Sequence, residues 1–211
     1  MMKEQLGEKL PKGSVAFFKG ASEVPLYSSD VNYPEYQEAF FYYLFGVVEM
    51  DCYAVIDFDE EKTVLFMPKL DNYYKIWMTL LTTDEYKKKY NLIDEILFTE
   101  ELEAYFTKKA PSTVYLNKGI NSDSGLTTMV PESKFFEAGK PSVDDSTMHD
   151  ILSESRTIKN DEEIEIMRWA SNITCEAHLH VMRSVKPGMR ESQLESFFKY
   201  DCEQKYFCGR V

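Results

Sequence analysis

CYAVIDFDEEKTVLFMP, residues 52–68, holds two apolar runs separated by a polar turn. Residues 52–57 and 63–67 are rich in β-branched and aromatic side chains, which suit a pleated, half-buried backbone. The intervening FDEEK is turn-like, so the two runs read as a hairpin. Pro68 ends the second strand, because proline has no N–H to give to a ladder. Working outward, residues 14–18 (SVAFF) form a short apolar strand ended by Lys19-Gly20. Residues 113–116 (TVYL), after Pro111, form another. Helix-like segments lie between them at 71–81, 83–90 and 100–109, the last with Leu102, Tyr105 and Phe106 at helical spacing. Strands interleaved with helices predict an α/β fold, a mixed sheet flanked by helices.

After about residue 150 the texture becomes almost wholly helical. Asn160 stands as an N-cap before Asp161, Glu162 and Glu163, whose negative charges oppose the positive end of a helix dipole. The stripe Ile164, Met167, Ala170, Ser171, Ile173, Thr174, Ala177, Val181 and Val185 predicts one long helix closed by Pro187-Gly188. Residues 191–206 predict the next, with Leu194, Phe197, Phe198 and Cys202 on one side. Between the two textures, residues 122–143 are rich in loop formers. Val143-Asp144-Asp145-Ser146 reads as a linker and cap ahead of a short helix over 145–154.

The chain has 211 residues, 44% of them hydrophobic and 28% charged, within the range of folded globular proteins. Its net charge of −12 argues against nucleic acid or an anionic membrane surface as a partner. Residues 151–211 hold 9 basic and 10 acidic side chains, so nearly all of the excess lies in the first 150. No run is long and apolar enough for a membrane span, and MMKEQLGEKLPKG lacks the apolar centre of a signal peptide. Cys52, Cys175, Cys202 and Cys208 form no C-x-x-C pair and read as free thiols in a reducing, cytoplasmic setting.

A self-contained catalytic centre does not emerge. His178 and His180, two apart on a helix, point away from each other and cannot share a metal. No H-E-x-x-H, G-x-S-x-G or phosphate-loop pattern occurs. Asn121-Ser122-Asp123-Ser124-Gly125 reads as a tight polar turn.

Four stretches together resemble the prolidase (Xaa-Pro dipeptidase) and aminopeptidase P family. They are YQEAFFYYLFGVVEMDCYAVID (36–57), TVLFMPKLDNYYKIWMTLLTTDEYKKKY (63–90), LNKGINSDSG (116–125) and ILSESRTIKNDEEIEIMRWASNITCEAHLHVMRSVKPGMRESQLE (151–195). Tyr36 stands where relatives often carry Arg. The resemblance implies an N-terminal α/β domain of creatinase/prolidase type over 1–153. Residues 154–211 would then be the first two long helices of a truncated "pita-bread" catalytic domain. It further implies a cytoplasmic homodimer whose full-length form hydrolyses dipeptides with C-terminal proline, using two divalent metals, commonly manganese. The family's five metal ligands fall beyond Val211, so no catalytic or metal residue is expected here and the segment is expected to be inactive alone. Trp77 is the residue singled out, as part of an active-site lid or of the dimer seam. Two alternatives stay open: a stand-alone, non-catalytic α/β module for dimerisation or peptide binding, and an aminopeptidase P relative.

Overall fold

The computed structural model describes residues 10–132 and 141–208. The chain divides into two compact units, one up to Ser155 and one from Arg156 onward.

The first unit is built on six strands: β1 (Ser14–Lys19), β2 (Tyr53–Asp57), β3 (Lys62–Met67), β4 (Glu95–Phe98), β5 (Thr113–Leu116) and β6 (Ser142–Asp144). Their order across the sheet is β4-β3-β2-β1-β5-β6. The pairs β1–β2 and β2–β3 are antiparallel, whereas β3–β4, β1–β5 and β5–β6 are parallel. The sheet is therefore mixed, and the hairpin at its centre is the one read from residues 52–67.

Both faces of this sheet are covered, which explains why β1 and β3 read as nearly continuous apolar runs. Successive side chains point to opposite faces. Val15, Phe17, Val55, Val64, Phe66, Val114 and Leu116 pack with Leu102 and Phe106 of helix α3 (Leu102–Lys109). Ala16, Phe18, Ala54, Leu65, Met67 and Tyr115 pack with residues of α1 (Ala39–Phe45) and α4 (Met148–Ser155). Phe17 is completely buried, with its ring edge-on to Phe106 at 4.9 Å. A Phe17-to-Ala change would forfeit about 3–5 kcal/mol.

The QE pair within residues 36–57 is architectural. Gln37 Oε1 accepts from the amides of Ala21 (2.7 Å) and Glu38 (2.9 Å), and Nε2 donates to the Glu49 carbonyl (2.6 Å). One amide side chain thus ties three loop segments together. Gly20 is needed there, since a Cβ would lie 2.9 Å from Gln37 Oε1. Glu38 then caps α1, accepting from the Phe41 amide at 2.8 Å, and Gly46 ends the helix in a left-handed turn at φ 64. The NSDSG segment is a tight turn as read. Asn121 Oδ1 accepts from the amides of Asp123 and Ser124, and Gly125 sits at φ 69.

The second unit holds α5 (Asp161–Ser184) and α6 (Glu191–Tyr206). The Asn160 capping box is formed in both directions at 2.8 Å. Ile173 and Ala177 of α5 pack against Cys202 of α6. The rest of the predicted stripe is more open, with Met167, Ala170 and Thr174 exposed.

Three segments differ from the sequence reading. Residues 71–81 are not a helix: only Asn72–Ile76 coil, as one 3-10 stretch. Residues 71–79 are all exposed. A helix of this length needs an apolar face buried by tertiary packing to persist, and among the described residues this segment buries none. Residues 142–144, read as linker, add edge strand β6 to the sheet. Residues 95–98, left unassigned, form edge strand β4, parallel to β3.

Candidate functional site

Trp77 lies on a strap between the end of β3 and α2 (Thr83–Lys89). Both ends of the strap are fixed. At the first, Pro68 stops β3, and Asp71 Oδ1 accepts the Tyr73 amide at 2.8 Å to start the 3-10 stretch. The amides of Trp77 and Met78 both donate to the Tyr74 carbonyl at 2.9 Å, which closes that turn. At the second end, Thr82 and Glu85 form a reciprocal capping box on α2. Glu85 is held below the usual carboxylate range, first by its bond from the Thr82 amide and then by the Thr82 hydroxyl.

Helix α2 is in turn tied to the loop that follows α1. Glu49 accepts from Lys89 Nζ at 2.5 Å and from the Tyr90 hydroxyl. Burial opposes ionisation of Glu49, but these two bonds outweigh it and keep the carboxyl below its ordinary range. Burial, reinforced by the same carboxylate, raises the Tyr90 phenol. On the other flank Lys69 pairs with Glu100 at 2.9 Å.

Between these supports the strap presents Tyr73, Ile76, Trp77 and Met78 outward, and Trp77 is 74% exposed. Beneath it lies an open cleft of about 440 Å³ whose walls include Lys75, Met78, Leu80, Tyr86 and Phe98. Trp77 does not line that cleft and is turned to solvent. The hydroxyl–carboxylate pair at the second end, Thr82 Oγ1 to Glu85 Oε2 at 2.8 Å, is part of the capping box of α2.

The histidines are placed as structural groups. His149 Nδ1 meets Asn117 Oδ1 at 3.1 Å and its ring lies edge-on to Phe40. His180 Nδ1 meets Asp201 Oδ2 at 2.9 Å, while His178 rests against Phe198. Among the described residues no group of three or more His, Cys, Asp or Glu side chains is arranged to hold a metal ion. A two-metal centre therefore does not fit the described residues. Also among the described residues, no helix is long and apolar enough to cross a membrane. Gln37, Glu49, Lys89 and Tyr90, which position the strap and its surroundings, were not singled out from sequence. The QE motif was the one available signal for Gln37.

Comparison with known proteins supplies the family. Residues 2–115 match the model described as aminopeptidase P, N-terminal domain. The chain belongs to the aminopeptidase P N-terminal domain family. Mouse Xaa-Pro dipeptidase is 35% identical over 206 residues, covering 95% of this chain and 41% of that protein. The human Xaa-Pro dipeptidase is 34% identical over the same shares. The chain thus spans about two fifths of the length of the curated relatives it matches. Zinc-substituted Escherichia coli aminopeptidase P in complex with product superposes with a TM-score of 0.77 at 26% identity, covering 98% of this chain and 49% of that one. The six-stranded mixed sheet with flanking helices and two long C-terminal helices is the fold of that aminopeptidase P domain.

Proposed function

We propose that this chain is the N-terminal portion of a cytoplasmic Xaa-Pro dipeptidase, and that residues 154–211 begin its catalytic domain. The intact enzyme hydrolyses dipeptides with C-terminal proline using two divalent metals, manganese by preference. The segment itself contributes dimerisation and an aromatic cover for the active site, and hydrolyses nothing alone. Similarity to mouse and human Xaa-Pro dipeptidase supports the substrate class.

The observation that carries the cover is the exposure of Trp77 on a strap braced at both ends. An indole left in water costs free energy that a partner surface would recover. At a homodimer seam it would reach over the partner's site, exclude water and pack on the flat face of a proline ring. The chemistry belongs to the metal-bearing domain, and this domain binds, orients and covers.

The test is Trp77→Ala in a polypeptide that joins this domain to its catalytic domain. Loss of ring packing on proline should lower kcat/KM for Gly-Pro about tenfold, or ~1.4 kcal/mol. Trp77→Phe should retain most of the activity. Unchanged kinetic constants in Trp77→Ala, with an unchanged dimer by light scattering, would remove both roles.

A further inference from the structure

The C-terminal turn of α6 brings the backbones of two cysteines together, with Cys208 Sγ resting 3.7 Å from the Tyr206 carbonyl. Phe207 adopts a left-handed conformation, φ 57 and ψ 26, and reverses the chain across the helix end. The amides of both Phe207 and Cys208 consequently point at the carbonyl of Cys202, the latter at 3.1 Å. That one bond, with standard covalent lengths on either side, keeps the two Cα atoms within roughly 7 Å. Disulfides span roughly 4.4–6.8 Å between Cα atoms. Cys202 is buried against Ile173 and Ala177, and Cys208 packs on the same small cluster while keeping part of its surface open. Both thiols are free.

We infer that Cys202 and Cys208 form a modification site: a dithiol that a peroxide converts to a disulfide, clasping the C-terminal end of α6. The inference is independent of the reading of the strap.

The order of events follows from exposure. Burial pushes the Cys202 thiol up, and the neighbouring Cys208, Asp201 and Glu203 add to that, so Cys202 is the poorer first target. The Cys208 thiolate attacks one oxygen of hydrogen peroxide. The O–O bond breaks, hydroxide leaves and takes up the thiol proton as water, and Cys208 becomes a sulfenic acid. Cys202 then attacks that sulfur. The S–S bond forms, the S–O bond breaks, and the hydroxyl leaves as a second water with the Cys202 proton. Two thiols are oxidised and one peroxide is reduced.

Trypsin cleaves after Lys199, Lys205 and Arg210, so the two cysteines part into peptides 200–205 and 206–210. The reduced full chain is treated with hydrogen peroxide, alkylated, digested without reductant and weighed by mass spectrometry. The expected product is the pair of peptides joined, lighter by two hydrogens, released by dithiothreitol and absent in Cys208→Ser. Cys175→Ser should leave it unchanged. Native apposition should make the clasp form about tenfold faster than in denaturing urea. Equal rates in the two states would overturn the inference. So would alkylation of both cysteines at a peroxide dose that oxidises the exposed Cys175, or cross-links made through Cys175 instead. Should Cys208→Ser unfold, Cys202→Ala serves the same purpose.

Discussion

Gly119 is where a single added methyl should be felt most sharply. A Cβ there would lie 2.0 Å from His149 Cε1 and 2.3 Å from each ring nitrogen. Carbon contacts settle at roughly 3.5–4.0 Å, so the imidazole cannot remain in place. Nor can it step aside freely. Its helix α4 is anchored by Met148 and Leu152, both buried in the sheet's core. Moving the ring gives up the bond to Asn117, about 0.5–1.5 kcal/mol net. It also gives up the edge contact with Phe40, about 0.5–1.5 kcal/mol. Gly119→Ala should therefore cost about 2 kcal/mol, within the usual range for overpacking. His149→Ala loses the same two contacts without a clash and should cost about as much. The double variant should be no worse than His149→Ala, because the smaller side chain leaves room for the new methyl. The resulting coupling, about 2 kcal/mol, is the measured quantity. Urea unfolding followed by circular dichroism gives it, with amide exchange in β1 and β5 assigning the transition to the first unit. A neutral Gly119→Ala, or strictly additive costs, would refute the reasoning.

Lys109 bridges Asp57, which is buried, and Glu60 at 2.8 Å. Lys109→Met should cost about 3 kcal/mol, the low end for breaking a buried pair, because the amides of Asp59 and Glu60 still reach Asp57. A loss under about 0.5 kcal/mol in chemical denaturation would show the pair to be surface-like. Burial lowers the Lys109 ammonium, but the bonds to Asp57 and Glu60 outweigh it and hold it above its usual range. Its contribution is therefore intact below about pH 10.4 and declines as pH rises past that value. Asp144 behaves oppositely. Burial raises it, yet the Thr147 hydroxyl and the amides of Ser146 and Thr147 prevail and leave it lowered. Its contribution is present above about pH 3.9 and fades as pH falls through the lowered value. Acid titration of stability should thus be shallower in Asp144→Asn than in the parent, and identical slopes would discount the cap.

What the sequence makes legible follows from the range of the forces involved. The central hairpin is local: two β-rich runs, a polar turn and a proline stop. The start of α5 is local too, because Asn160 and Glu163 satisfy each other's amides within one turn. Residues 39–45 (AFFYYLF) are apolar almost throughout and carry no period, so helix and strand could not be separated. The strap misled for a different reason. Its residues suit a helix, but 71–79 all stay exposed among the described residues, and that openness is a tertiary fact. Strands β4 and β6 have four and three residues, too short to show alternation, and exist because β3 and β5 offer parallel edges. At the candidate site, Trp77 was found through family resemblance, whereas its exposure required coordinates. Gln37 acts on residues 21 and 49, and no local pattern announces such a tie.

The proposal to be tested is that these 211 residues assist a peptidase without supplying its chemistry. The chain should be incubated with excess manganese, desalted, analysed for metal by inductively coupled plasma mass spectrometry, and then given Gly-Pro. The account predicts no stoichiometric metal and no proline released. Two ions retained per chain, together with cleavage of the dipeptide, would contradict it.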